Sequence, residues 1–88
     1  MTSHAAELRD RFALAQDMAR EAGTVALAYF KDRERLVVET KADPQDVVSI
    51  ADREVEDLIR ARISAAFAAD AILGEEYGVS AGSSAYTW

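Results

Sequence analysis

The stretch 71-AILGEEYG-78 places two adjacent carboxylates, Glu75 and Glu76, directly after a short apolar run. The apolar half predicts a buried strand, about 71–75, and Gly74 followed by polar residues predicts the turn that ends it. Acidic side chains are almost never buried unless something offsets their charge. This stretch therefore raises the question of what the two carboxylates bind.

Two helices are predicted before this stretch. Apolar residues recur at steps of three and four along residues 4–31 and again along 51–67, which places them on one face of each helix. Ser49 and Asp52 match the serine-x-x-acid pattern that caps a helix start. The predicted faces consist of Leu8, Phe12, Ala15, Ala19, Ala22, Ala26 and Tyr29 in the first helix, and of Val55, Leu58, Ile59, Ile63 and Phe67 in the second.

A β-hairpin is predicted between the two helices. Residues 35–40, RLVVET, are rich in β-branched side chains, which favours a strand. Pro44 fixes φ and lacks an N–H, so a turn is predicted around it, with a second short strand at 46–49. Residues 86–88, YTW, resume a β-prone pattern. The order of helix, hairpin, helix and strand indicates the α/β class.

Length and composition restrict the class of protein. The 88 residues carry ten basic and 16 acidic side chains, for a net charge of −6, and no cysteine. The acidic balance disfavours nucleic acid as a partner, and no apolar run approaches the ~20 residues that cross a bilayer. We therefore expect a cytoplasmic protein without nucleic-acid or membrane binding. Two long helices and a few short strands leave too little chain to cover both faces of a sheet. We therefore expect residues 1–88 to be the N-terminal portion of a larger domain.

Acidic residues at the ends of the predicted elements are the main chemical feature of the chain. They are Asp46, Asp52, Glu75 and Glu76. Carboxylate oxygens suit magnesium, manganese or calcium, and sites in α/β folds collect at the carboxyl ends of strands. Because acidic residues are numerous, spacing alone leaves a second interpretation open. In that interpretation they are surface carboxylates, with Asp52 favoured only by the helix macrodipole.

Taken in order, residues 20–30 (REAGTVALAYF), 41–59 (KADPQDVVSIADREVEDLI), 71–78 and 86–88 resemble the N-terminal region of the inositol monophosphatase family. The family pattern is a lysine, an acid before V-[TS]-x-x-D, a helix, and G-E-E after a strand. These motifs are specific in combination, and the resemblance covers nearly the whole chain. The matching positions are Lys41, Asp46, Val48, Ser49, Asp52, Gly74, Glu75 and Glu76.

The resemblance implies a layered αβαβα sandwich and a magnesium-dependent, lithium-sensitive phosphatase. Glu75 corresponds to a ligand of the first Mg²⁺, and Asp52 to the aspartate that orients or activates the attacking water. Glu76 corresponds to the second glutamate beside the metal cluster. Lys41 and Asp46 correspond to loop residues that close over the site. Serine at position 49, where threonine is common, still offers a hydroxyl.

The implied reaction is Mg²⁺-dependent hydrolysis of a small phosphorylated metabolite, with inositol monophosphate as the first substrate and histidinol phosphate as the alternative. In the family a D-P-I-D-G-T motif follows the aromatic strand and supplies further ligands and the catalytic threonine. That position lies beyond Trp88, so we expect the 88 residues alone to be inactive. The full-length protein is expected to be a homodimer. The rival hypothesis is a non-enzymatic helical interaction module that docks through the alanine-rich face of the first helix.

Overall fold

The computed structural model describes residues 3–40 and 44–88, with side chains described for 3–32 and 47–88. In chain order it contains helix α1 (His4–Thr40), helix α2 (Pro44–Ala66), strand β1 (Ile72–Gly74) and strand β2 (Gly78–Ser80). Helices followed by paired strands confirm the predicted α/β class.

The hairpin predicted between the helices is wrong, because both of its strands are helical. Residues 35–40 continue α1, and 46–49 lie inside α2, which begins at Pro44. Short apolar runs do not distinguish strand from helix by periodicity. Proline also suits the first position of a helix, since its fixed φ is already helical and its missing N–H has no partner there. Ser49 therefore lies beyond the first turn of α2 and cannot cap that helix start.

The two helices run antiparallel. Arg62 donates from Nε to Glu21 of α1 at 3.1 Å, and the Tyr29 hydroxyl donates to Glu54 of α2. Position 21 of α1 thus contacts position 62 of α2, and the later position 29 contacts the earlier position 54. Contacts in this order require helices that run in opposite directions. None of the helices in the described part of the chain is both long and apolar enough to cross a membrane.

The buried core joins both helices to the first strand. Met18 of α1, Ile63 of α2 and Ile72 of β1 form one cluster, in which Ile63 is 0% exposed. Partly buried side chains that complete the cluster are Leu14, Ile59 and Trp88. This packing presses β1 against α2 and places the end of the strand beside the middle of the helix.

The packed face of α1 coincides with the predicted one only in part. Leu8 and Phe12 are 56% and 64% exposed, whereas Leu14 and Met18 pack into the core. An alanine-rich helix carries more than one apolar stripe, so its periodicity does not select the stripe that meets a neighbour.

Strand β1 is paired along both edges. On one edge β2 runs antiparallel, with Leu73 opposite Val79 and Gly74 opposite Gly78. On the other edge Ala71 and Leu73 donate backbone N–H groups to the carbonyls of Tyr86 and Trp88, at 3.0 and 2.8 Å, and a parallel bridge joins Ala71 to Thr87. The aromatic segment at 86–88 thus adopts the strand-like pairing that its composition predicts.

A buried carboxylate ties the C-terminal segment to both helices. Asp70 follows α2 and accepts two hydrogen bonds from the Arg11 guanidinium, at 2.7 and 2.9 Å. It also accepts from the Ser84 hydroxyl at 2.6 Å and from the Trp88 indole at 2.9 Å. The bonds from Arg11 hold the pKa of the Asp70 carboxyl well below its usual range. The ionised side chain therefore holds three separate segments together.

Aromatic rings enclose the guanidinium of this ion pair. The Arg11 Cζ atom lies 4.2 Å from the ring centroid of Phe67 and 3.8 Å from that of Tyr86. The Tyr86 hydroxyl donates to Glu7 at 2.7 Å. Cation–π contacts of this kind hold the cation in a fixed orientation, so Arg11 is well placed to bind Asp70 with both nitrogens.

Candidate functional site

A cleft of about 450 Å³ lies between α2 and the turn that follows β1. Asp52 lines it from the helix, and Glu75 and Glu76 line it from the turn. Apolar side chains, among them Ile63 and Ile72, also line the cleft. The fold therefore brings three of the candidate site residues to one place, although they lie far apart in sequence.

The other candidate site residues are placed differently. Lys41 lies outside the described residues, and so does the side chain of Asp46. Ser49 is half-buried on α2 and does not line the cleft. The cleft thus contains the predicted metal ligand and the predicted catalytic aspartate, but not the predicted supporting serine.

The turn that carries the two glutamates is short and exposed. Residues 75–77 connect β1 to β2, and Gly78 closes the turn with a φ of 75°, in the left-handed region that favours glycine. Three-residue hairpin loops commonly use one left-handed residue in this way. The sequence signal for this hairpin is therefore local, unlike the contacts that hold it to the helix.

Glu56 of α2 binds the backbone of this turn. Its Oε1 accepts the N–H of Glu76 at 3.0 Å, and its Oε2 accepts the N–H of Tyr77 at 2.9 Å. Asp52 and Glu56 are four residues apart, so both face the cleft from the same side of the helix. That spacing is the sequence signal for Glu56, which the family motifs do not single out.

Arg60 supports Glu56 from the next turn of the helix. Its Nε donates to Oε2 of Glu56 at 3.0 Å, and its second guanidinium nitrogen donates to the carbonyl of Gly78. The guanidinium also lies 6.0 Å from the ring centroid of Tyr77. The pair therefore binds the turn in two ways: Glu56 accepts hydrogen bonds from its amides, and Arg60 donates one to its carbonyl.

Gly74 provides the space that Glu56 needs. A Cβ at position 74 would lie 2.6 Å from Oε2 of Glu56, closer than real Cβ contacts allow. A larger residue here would displace the carboxylate from the amides of the turn. The carboxylate of Glu56 thus gives a steric reason for glycine at position 74.

Electrostatics keep Glu56 ionised. Burial favours its neutral form, but hydrogen bonds from the amide of Glu76, the side chain of Arg60 and the amide of Tyr77 outweigh it and lower the Glu56 pKa. These hydrogen bonds also mean that donors of the protein occupy both carboxylate oxygens of Glu56.

The donor set of the cleft matches a hard cation only in part. Carboxylate oxygens, which Mg²⁺ prefers, are supplied by Asp52, Glu75 and Glu76. Among residues 3–32 and 47–88, however, no three side chains of the metal-binding types form a group that could hold an ion. The described carboxylates are thus of the type that a hard cation prefers, but among the described residues they do not by themselves form a cation site.

Comparisons with known proteins identify the family of the chain. Residues 7–88 match the inositol monophosphatase family. A histidinol-phosphatase of Chlorobaculum parvum is 45% identical over 64 residues, which cover 73% of this chain and 24% of the relative. Inositol monophosphatase 1 of Xenopus laevis is 35% identical over 63 residues, which cover 72% of this chain and 22% of the relative.

A third relative comes from another bacterium and has a name that gives no activity. Uncharacterized protein y4fL of Sinorhizobium fredii is 44% identical over 70 residues, which cover 80% of this chain and 25% of that protein. No solved structure gives a significant match. The chain spans about a quarter of the length of the curated relatives it matches. Because the family match extends over nearly all of its residues, the chain belongs to the inositol monophosphatase family.

Proposed function

We propose that this chain is the N-terminal part of a Mg²⁺-dependent phosphatase that hydrolyses a small phosphorylated metabolite. The observation that carries the proposal is that Asp52, Glu75 and Glu76 all line one cleft. Family membership and relatives named as phosphatases support it. The chain would contribute one side of the active site, and a complete site requires further ligands.

Glu75 would hold Mg²⁺, with Glu76 beside it as a weaker candidate. Mg²⁺, when bound, would offset the charge of the phosphate and lower the pKa of a water molecule. Both glutamates are exposed at the cleft, so their carboxylates are accessible to solvent and ligand. A short turn anchored to a helix would position such a ligand better than a free loop.

Asp52 would orient the attacking water and accept its proton. The water oxygen would bond to phosphorus as the bond from phosphorus to the ester oxygen breaks, and the leaving alkoxide would take up a proton from solvent. Asp52 is exposed at the cleft and lies on a regular helix, which suits a side chain that must contact water in a fixed direction.

Inositol monophosphate is the first proposed substrate, and histidinol phosphate is the alternative. Relatives named for each activity match the chain over similar lengths. A cytoplasmic location and a homodimeric full-length protein also stay predictions. The non-enzymatic alternative, docking through the alanine-rich face of α1, draws on the exposed Leu8 and Phe12 of that face.

The test is phosphate release by the full-length protein with each substrate and Mg²⁺. We expect Mg²⁺-dependent turnover that lithium inhibits, with higher kcat/KM for inositol monophosphate, and no turnover by residues 1–88 alone. Higher kcat/KM for histidinol phosphate would assign the alternative substrate. Absence of phosphate release from both compounds would contradict the proposed function, and turnover by the 88 residues would contradict the predicted inactivity of the fragment.

A further inference from the structure

The carboxylates of Glu75 and Glu76 depend on the backbone of their turn for their position. Within the described residues, neither side chain has a hydrogen bond or an ion pair of its own. Both residues are exposed. Among the described residues, the hydrogen bonds that Glu56 and Arg60 make with this turn act on its main chain between Gly74 and Gly78.

That main chain is bound by a pair of side chains from α2. Glu56 accepts the amides of Glu76 and Tyr77, and Arg60 donates to the carbonyl of Gly78. The strand pairing of Gly74 with Gly78 closes the base of the turn. Side-chain bonds from the helix thus fix the part of the turn that strand pairing does not reach.

The Glu56–Arg60 pair is itself well ordered by its surroundings. The two side chains are only 14% and 18% exposed, and an ion pair at i,i+4 spacing joins them. They project from α2, whose Ile59 and Ile63 pack in the core. The turn is therefore bound to the same helix that carries Asp52, so the two sides of the cleft keep a fixed position relative to each other.

We propose that Glu56, supported by Arg60, is a positioning residue that holds the turn so that Glu75 and Glu76 face the cleft opposite Asp52. This inference rests on the proposed function for the identity of the cation. It assigns no ligand role to Glu56, because donors of the protein already occupy both of its oxygens. Gly74 belongs to the same device, since only a residue without a side chain leaves room for that carboxylate.

The test is the substitution Glu56→Gln in the full-length protein. Glutamine keeps the shape but replaces one acceptor oxygen with an NH₂ group, which would face an amide donor of the turn. Loss of a residue that orients a metal ligand typically weakens metal affinity by about 10–100-fold. We expect the Kd for Mn²⁺, measured by calorimetry without substrate, to rise about tenfold. The Mg²⁺ concentration for half-maximal turnover should shift likewise, with an unchanged KM for the phosphomonoester.

The matched control is Glu54→Gln, which removes the same charge from the same helix. Glu54 accepts from Tyr29 of α1 and not from the turn, so this variant should keep the wild-type Mn²⁺ affinity. Gly74→Ala should reproduce the shift of Glu56→Gln, and the double variant should be no weaker than either single one, because both changes break the same bonds.

The outcomes separate the two proposals. An unchanged Mn²⁺ affinity in Glu56→Gln would overturn the positioning role, even if the wild-type protein releases phosphate. A weakened affinity would support the role, even if neither tested phosphomonoester is a substrate. A purely structural effect would lower the active fraction without moving the metal midpoint, and that result also counts against the proposal. If Glu56→Gln does not fold, Arg60→Lys provides the same test, since lysine cannot bind both Glu56 and the Gly78 carbonyl as the guanidinium does.

Discussion

The carboxylate of Glu56 occupies the space that a Cβ on residue 74 would fill. Gly74→Ala should therefore displace Glu56 from the amides of Glu76 and Tyr77 and lower the stability of the chain. Urea denaturation should show a lower midpoint than that of the wild type.

Gly23→Ala is the matched control for this substitution. Gly23 lies inside α1, and the methyl group of an alanine there would have nothing within 4 Å, so the substitution should stabilise the helix by about 0.5–1 kcal/mol. A Gly74→Ala variant as stable as Gly23→Ala would contradict the steric relationship between residue 74 and Glu56.

Gly82→Ala is expected to destabilise the loop before the aromatic segment. A Cβ at position 82 would lie 2.5 Å from the backbone nitrogen of Ala71, and backbone atoms cannot move aside as a side-chain end can. Overpacking of this kind costs about 1–3 kcal/mol, which thermal or urea denaturation would detect. The neighbouring change Ala81→Ser, at an exposed position, should stay within about 0.5 kcal/mol of the wild type.

Asp70 should make the free energy of unfolding decrease as the pH falls into the acidic range. The hydrogen bonds from Arg11 hold the pKa of the folded carboxyl well below its ordinary value of 3.8. Folding therefore favours the ionised form, so the contribution is complete above the unfolded pKa and is lost as the pH falls toward the folded one. Asp70→Asn should cost on the order of 2 kcal/mol at pH 7 and progressively less below about pH 4.

Urea denaturation at several pH values between about pH 2 and pH 7 would measure the stability difference between the wild type and Asp70→Asn. This range spans roughly the unfolded pKa of an aspartate. Asp17→Asn is the control, since Asp17 is an exposed partner of Arg20 on the surface of α1. Its stability difference from the wild type should be small at every pH. A constant difference between wild type and Asp70→Asn down to the lowest pH would contradict the assigned role of the ion pair.

Substitutions in the cleft should separate chemistry from stability in the full-length protein. Asp52→Asn keeps the shape but cannot accept a proton from water, so kcat should fall by about 10²–10⁴-fold with little change in KM. Glu75→Gln should mainly weaken metal affinity. Steady-state kinetics with varied Mg²⁺ would distinguish the two, and near-wild-type turnover of Asp52→Asn would remove that residue from the proposed mechanism.

The 88 residues alone should bind Mg²⁺ weakly. One or two carboxylates leave most of the coordination to water, and Mg²⁺ gives up its water ligands reluctantly. Calorimetry on the isolated chain should show affinity weaker than micromolar. Micromolar binding would mean that these residues already form a nearly complete site.

Local signals in the sequence were enough for several features. The apolar face of α2, the strand at the start of 71-AILGEEYG-78 and its turn all depend on spacing and residue type within a few positions. The motif order also led to the family, which the comparison confirms. The same motifs identified Asp52, Glu75 and Glu76, which the fold brings to one cleft.

Other features required contacts between distant residues. Residues 35–40 and 46–49 have too short an apolar pattern to distinguish helix from strand, and the structure makes both helical. The stripe of α1 that is buried depends on which side α2 approaches. The bonds from Glu56 to the turn span about 20 residues, and the bond from Arg11 to Asp70 spans 59.

By itself, then, the sequence determined the class of fold and the family, because both are encoded in local pattern and motif order. The assignment of Asp52, Glu75 and Glu76 to the chemistry stays a prediction from the same motifs. Only the tertiary structure decided how the turn of Glu75 and Glu76 is held. The free energy of those bonds comes from groups that meet only when α2 packs beside β1, and no local pattern records that packing.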